Sequence, residues 1–474
     1  AGLDQEMPGD EHGLSWTRWK GIHEAQEEAV RAVDTAARRI LATIYRMRLD
    51  ETDATDPRSC SPPGCIAQLL SNQRTAEHRK LAAEAATKAV VLLKNDGILP
   101  LNASKVKTLA IFGACVQNKP HEHLAEPCVS SYIGGGSGTV EPGSVITPLQ
   151  AITDRAAVEG IRVMAQKSDN ETDAIALAQQ VDAAIVVGAI SSSEYFDRNA
   201  RSLYSFIPTP PHLTSNLSIF GVNWIDTFSQ LGKPVIVIMQ TPGAVLMPWL
   251  SDVNAVANLF VAGEETGTAW ANILFGDSSP EGKLPIMFPS TMEDVVQPNP
   301  SENITYDEGL FSSYRNPRAK AAFPFGHGLS YTTFDFGGAV LLSGKACSAH
   351  VCAQLPVTNS GGRPGAEVVQ AYLEFESAKD TPVRMLRGFY KTRVLQPGET
   401  EMAFFNFTAR DLSIYNVVRS GWVVQERVRA HFGASSQDIR QILRLRSEEA
   451  AATACESEEE VAAEATTKVV SAES

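Results

Sequence analysis

No apolar run in the chain is long enough to cross a bilayer as a helix. Positive charge is in short supply. The 41 Lys and Arg residues face 55 Asp and Glu, for a formal net charge of −14. That sign argues against nucleic acid or an anionic membrane as the main partner. Half of the excess is local: residues 447 to 474 hold eight Glu and one Lys, a net of −7. The rest of the chain is only mildly acidic.

Several chemical signatures are missing as well. No Gly-Lys-Ser/Thr follows the Gly-rich stretch, so a phosphate-binding loop is excluded, and no dinucleotide fingerprint is found. The serine-hydrolase elbow G-x-S-x-G and the zinc-protease pattern H-E-x-x-H are both absent. Neither a CxxC pair nor a Cys–His cluster offers a zinc site, and no metal is expected. The nine His are scattered; His327, in "FPFGHGLSY", reads as a packed turn residue rather than a ligand. No signal peptide is visible, but the chain begins at Ala1 rather than Met, so that absence carries no weight.

What remains is a chain of 474 residues, 43% hydrophobic and 20% charged, long enough for several cores. Six of its seven cysteines fall in local pairs: Cys60 with Cys65, Cys115 with Cys128, and Cys347 with Cys352. Such pairs suit loop staples in an oxidising compartment; six free thiols are the alternative. Five Asn-x-Ser/Thr acceptors, at Asn102, Asn170, Asn216, Asn303 and Asn406, point the same way, to an extracellular or secretory-pathway protein.

The chain divides by pattern. Residues 22 to 49 have helical spacing, with Val30, Val33, Ile40, Leu41 and Ile44 on one stripe. Residues 50–75 form a Pro/Cys-rich connector. Residues 76–291 alternate helices with short Val/Ile-rich runs: "EHRKLAAEAATKAVVLL" reads as helix, and "TLAIFG", "IRVMAQ", "AAIVVGA", "PVIVIMQ" and "AVANLF" as strands. Continuous apolar strands between helices imply an α/β domain with a mostly parallel sheet covered on both faces. Residues 292–344 read as a linker. Residues 345–446 carry strands at regular spacing with Gly, Pro and Asn turns, the pattern of a small antiparallel β-sandwich. Residues 447–474 form an acidic low-complexity tail.

Two stretches are candidates for chemistry. "YIGGGSGTV", with Gly135, Gly136 and Ser137, is either a surface turn or a loop that lets a substrate approach the backbone. "SSSEYFDRNARS" follows the apolar run that ends near Ile190 and carries Glu194, Asp197 and Arg198. Carboxyl ends of parallel strands are where such sheets bind ligands, although a lone Glu on a loop is usually a solvated surface residue.

Several ordered segments together resemble glycoside hydrolase family 3. They are "AAEAATKAVVLLKNDGILPL", "GGGSGTV…ITPLQAI", "GEETGTAWANILFGDSSPEGKLPIMFP", "YDEGLFSSYR", "FPFGHGLSYTTF", "VTNSGGRPGAEVVQAYL", "LRGFYKTRVLQPGE" and "GASSQDIR". The likeness runs to about residue 446. It implies an α/β sandwich followed by a fibronectin type III-like domain, with residues 1–49 a remnant of the end of a (β/α)8 barrel. It also implies a retaining β-glucosidase-like activity. "EYFDR" resembles the family's Glu-Gly-Tyr-Asp-Arg loop, which makes Glu194 the acid/base residue. Tyr195, Phe196 and Arg198, with Gly135, Gly136 and Ser137, would then meet substrate. Tyr195 replaces the usual Gly, and Asp197 with Arg198 has the alternative role of pairing to hold the loop.

The family's aspartate nucleophile belongs to the barrel and is not among these residues. The chain alone is therefore expected not to turn over a β-linked oligosaccharide or glucoside. No cofactor is required, since a proton donor and a carboxylate nucleophile suffice. "AGLDQEMPG" resembles glucosidases more than xylosidases of the family. A β-xylosidase is the alternative enzyme, and a non-catalytic carbohydrate-binding relic the alternative of another class. Without a barrel, the stripe at Val33, Ile40 and Ile44 is expected either to dock loosely or to face water, at roughly 1.5–3 kcal/mol per unburied side chain.

Overall fold

Seven consecutive residues of the run "AAIVVGA" are buried, and they form the centre of a six-stranded sheet. The computed structural model describes residues 4, 27–51, 66–113, 130–134, 137–138, 140, 143–166, 171–189, 225–296, 305–376 and 381–445. The sheet contains β1 (Val91–Asn95), β2 (Thr108–Phe112), β3 (Arg162–Ala165), β4 (Ala183–Ala189), β5 (Val235–Gln240) and β6 (Ala255–Leu259). Its order is β1-β6-β5-β4-β2-β3. Five strands are parallel, and β1 runs antiparallel to β6.

Alternate residues of each strand feed two cores. Leu109, Ile111, Ile185, Val187, Ile236 and Ile238 pack on one face, against helices Pro148–Val158 and Thr266–Leu274. Ala110, Phe112, Val186, Val237 and Met239 pack on the other, against helices Glu171–Gln179 and Ile225–Gln230. Burial on both faces explains why these strands are continuously apolar. Helix Pro148–Val158 starts where Thr147 Oγ1 accepts the Gln150 N–H and Pro148 fits the first turn. Helix Thr266–Leu274 approaches it closely: a Cβ on Gly267 would lie 2.4 Å from the carbonyl oxygens of Ile146 and Thr147.

One reading needs correction. The helix within "EHRKLAAEAATKAVVLL" is Ala76–Ala89, and Val91–Asn95 is strand. Val90 to Leu93 are 0–1% exposed, and from Val91 on the chain gains more from pairing with β6 than from another helical turn, to which the β-branched pair Val90-Val91 is poorly suited.

Residues 1–78 form a separate unit. Its helix spans Glu27–Arg46, with residues 22–26 outside the described region. The apolar stripe faces water: Val30, Val33, Ile40 and Leu41 are 38–48% exposed. Arg39 bonds Asp4 at 2.9 Å.

The β-sandwich starts earlier than its pattern suggests. After the short pair β7 (Phe288–Pro289) and β8 (Ala321–Phe323) come β9 (Phe334–Phe336) and β10 (Val340–Leu342). Both of the latter lie within the stretch read as linker, yet both pair with β11 (Val351–Asn359). β11 also pairs with β14 (Thr400–Phe407). The second sheet runs β13 (Met385–Lys391), β12 (Val368–Phe375), β17 (Val428–Gly433) and β18 (Ile439–Leu445). β15 (Ser413–Asn416) and β16 (Gly421–Val424) form a hairpin. The inner faces share one core, including Leu355, Leu373, Phe405 and Phe432. Cys347 and Cys352 form a disulfide. Cys60, Cys65, Cys115 and Cys128 lie outside the described residues.

Candidate functional site at the carboxyl edge of the sheet

The chain leaves β2 for β3 on one side, then crosses back to place β4 on the other side of β2. This reversal makes the carboxyl ends of β2 and β4 a switch point, where open α/β sheets bind ligands. Gly113 follows β2 there with φ +128°, and a Cβ on it would sit 2.3 Å from Val187 O of β4. Only glycine allows so close an approach.

Residues 190–224, which follow β4, lie outside the described residues, and with them Glu194, Tyr195, Phe196 and Arg198. Gly135 and Gly136 also lie outside; Ser137 is described and exposed. In sequence, Glu194 stands five positions beyond Ala189, the last residue of β4.

Beside β4, the edge is polar but enclosed. Gln240 ends β5 and is 1% exposed, while Thr241 and Asn258 are 0% exposed. Thr241 Oγ1 donates to Asn258 Oδ1 at 2.8 Å. Tyr132 is 1% exposed, and burial pushes its phenol well above the ordinary range. It is a neutral donor at any working pH. Neutral amides and hydroxyls can orient a polar ligand or a loop; they cannot move a proton at neutral pH.

One buried carboxylate escaped the sequence reading. Glu265, in "GEETG", is 5% exposed. Arg79 Nη2 lies 3.4 Å from its Oε1, and Thr268 Oγ1 donates to its Oε2 at 2.7 Å. With both oxygens engaged, Glu265 fixes the start of helix Thr266–Leu274 rather than serving as a free acid. Its signal was an acid directly before an apolar helix.

His327 is a packed turn residue. Its Nε2 lies 2.9 Å from Leu93 O, and its ring stacks on Phe323 with centroids 5.1 Å apart. Burial lowers its pKa. A cavity of about 780 Å³ lies between the α/β domain and the sandwich, lined in part by Lys283, His327, Glu367, Asp438 and Arg440. Two ion pairs line it, Lys283 with Glu367 at 2.7 Å and Arg440 with Asp438 at 2.8 Å. Among the described residues, no cluster of three or more His, Cys, Asp or Glu is arranged to hold a metal.

The glycosyl hydrolase family 3 C-terminal domain matches residues 90–331, and a fibronectin type III-like domain matches residues 367–436. A probable beta-glucosidase L from Aspergillus fumigatus is 31% identical over 482 residues, covering 93% of this chain and 63% of that protein. Beta-glucosidase cel3A of Pyricularia oryzae is also 31% identical, with the same coverage. The chain thus spans less than two thirds of these relatives. Among solved structures, beta-glucosidase D2-BGL from Chaetomella raphigera superimposes with a TM-score of 0.76 at 27% identity, over 94% of this chain and 66% of that one. Beta-glucosidase 3B from Thermotoga neapolitana, in complex with α-D-glucose, gives 0.71 at 26% identity, over 93% and 63%.

Proposed function

The chain belongs to glycosyl hydrolase family 3, and on that premise we propose that it carries the acid/base part of a retaining β-glucosidase. The observation that carries this reading is Glu-Tyr-Phe-Asp-Arg directly beyond β4, the buried central strand at the switch point. Glu194 protonates the glycosidic oxygen as the bond to the leaving group breaks. It then takes a proton from the water that releases the sugar from the covalent intermediate. The nucleophile must come from a second carboxylate roughly 5 Å away across the bond, and by the family likeness that aspartate lies outside these 474 residues. Phe196 offers a ring for the C–H face of the leaving-group sugar. Arg198 pairs with Asp197 or with substrate, and Gly135, Gly136 and Ser137 let sugar hydroxyls approach the backbone.

The substrate class is a β-linked glucoside or oligosaccharide. The names of the relatives support glucosides over xylosides. The Cys347–Cys352 disulfide and the five Asn-x-Ser/Thr acceptors support a secreted protein.

The test is hydrolysis of 4-nitrophenyl β-D-glucoside and β-D-xyloside by the purified 474 residues. No turnover of either is expected, because one carboxylate cannot complete the double displacement. Glucoside turnover by these residues alone would overturn the division of the two carboxylates.

A further inference from the structure

The outward face of the β11–β14 ladder holds an apolar patch with a glycosylation acceptor inside it. Along β14, Ala403, Phe405 and Phe407 point inward and are 0–3% exposed, while Phe404 and Asn406 point outward. Phe404 is 48% exposed. Register places Gln354 opposite Phe404 and Cys352 opposite Asn406 on the same face. Beyond β11, Val340 and Leu342 continue that face, and Val340 is 49% exposed. β14 ends its sheet. An exposed aromatic on a sheet-edge strand, in the run "AFFNF", invites pairing with another chain unless something covers it.

Asn406-Phe407-Thr408 is an N-glycosylation acceptor. We propose that Asn406 carries an N-linked glycan whose first sugar packs on Phe404, and that this sugar shields the apolar edge of the sandwich. Residues two apart on a strand share a face about 7 Å apart, a gap that a pyranose on the Asn406 amide spans. Its C–H face then lies on the ring.

The modification is a transfer from a lipid-diphosphate-linked oligosaccharide. Asn406 Nδ2 displaces the diphosphate at the anomeric carbon: the C–N bond forms, the C–O bond to diphosphate breaks, and the amide loses one proton. In the folded chain, Thr408 Oγ1 donates to Asp411 Oδ2 at 2.7 Å and accepts the Asp411 N–H at 3.2 Å. Transfer therefore precedes closure of that turn, on the emerging chain.

This inference rests on the secretory reading above, and the test separates the two. The chain is secreted from yeast, and the five acceptors are mapped by isotope-labelled enzymatic deglycosylation. Thermal midpoints are then measured before and after glycan removal, in wild type, Phe404→Ala, Phe404→Tyr and Asn406→Gln. Asn406 is expected to be occupied. Removing the glycan is expected to lower the midpoint by about 2–4 °C in wild type and Phe404→Tyr, and to have little effect in Phe404→Ala beyond what Asn406→Gln shows. Glycans at other acceptors but none at Asn406 would overturn this inference alone. No glycan at any acceptor would overturn it together with the secretory reading. An equal loss in wild type and Phe404→Ala would overturn the packing on Phe404.

Discussion

Lys283 Nζ lies 2.7 Å from Glu367 Oε1 and donates to Gly328 O at 2.8 Å, so one ammonium joins the α/β domain to the sandwich. The two side chains are 13% and 7% exposed. Other bonds follow the same junction. Gln370 Nε2 donates to Gly326 O and Ala434 O, and Lys391 meets Glu281 at 3.0 Å. A Cβ on Gly328 would be 2.1 Å from Gly282 O, so the chain crosses the junction in close contact with the segment bearing Lys283.

Removing one member of a buried pair leaves the other charge uncompensated. Glu367→Ala is expected to cost about 3–5 kcal/mol. Lys283→Met with Glu367→Gln is expected to recover most of that, since Gln still accepts the Val368 N–H that Glu367 Oε1 accepts at 2.7 Å. Urea midpoints of the wild type and the two variants check both values. A Glu367→Ala change below about 1 kcal/mol would mean that the pair behaves as an exposed one.

Stability is expected to fall in mild acid. Burial holds the imidazoles of His327 and His431 below their ordinary range, in His431 against the pull of Glu374 at 2.7 Å. In the unfolded chain both titrate near about 6.5. As pH drops through that value, the unfolded chain takes up protons that the folded chain refuses, and stability declines until the folded imidazoles titrate. Asp438 is held low first by its hydrogen bond with Arg440. Its contribution is lost only as pH falls below about 4, so the upper part of the slope belongs to histidine. His327→Gln, which can still donate to Leu93 O, is expected to flatten the decline between pH 7 and pH 5 in thermal melts. An unchanged slope would remove His327 from the explanation.

Two glycines separate backbone strain from crowding. Gly160 has φ +70° with nothing within 4 Å of a built Cβ, whereas Gly113 has φ +128° and Val187 O at 2.3 Å. Gly160→Ala is expected to cost about 1 kcal/mol. Gly113→Ala is expected to cost clearly more, because β2 and β4 must separate at the switch point. Equal losses in denaturant titrations would show that the β2–β4 approach is not tight.

Much of the sheet was legible because burial on both faces leaves apolar runs with no alternation to misread. Ala183–Ala189 and Val235–Gln240 are such runs. The failures came where the partner lies far away in sequence. Val91–Asn95 looks like the end of an amphipathic helix until β6 is known to pair with it. β18 was missed for a different reason, since its partner β17 is adjacent in sequence: its period is blurred, with Gln441 half-buried and Ile442 60% exposed. β9 is three residues long and is fixed only by β11. At the candidate site, "EYFDR" points to Glu194 through its resemblance alone, and Glu194 lies outside the described residues. The enclosed set of Gln240, Thr241 and Asn258 had no motif, because it arises from strand order.

The role of Glu194 is tested most directly in residues 1–474 joined behind an intact family 3 barrel, with and without Glu194→Ala. The wild-type fusion is expected to hydrolyse 4-nitrophenyl β-D-glucoside. Glu194→Ala is expected to lower kcat by about 10²–10⁴-fold, and azide, which attacks the covalent intermediate without needing a base, is expected to restore turnover as β-glucosyl azide. A rate unchanged by Glu194→Ala, or a loss that azide does not repair, would contradict the acid/base role.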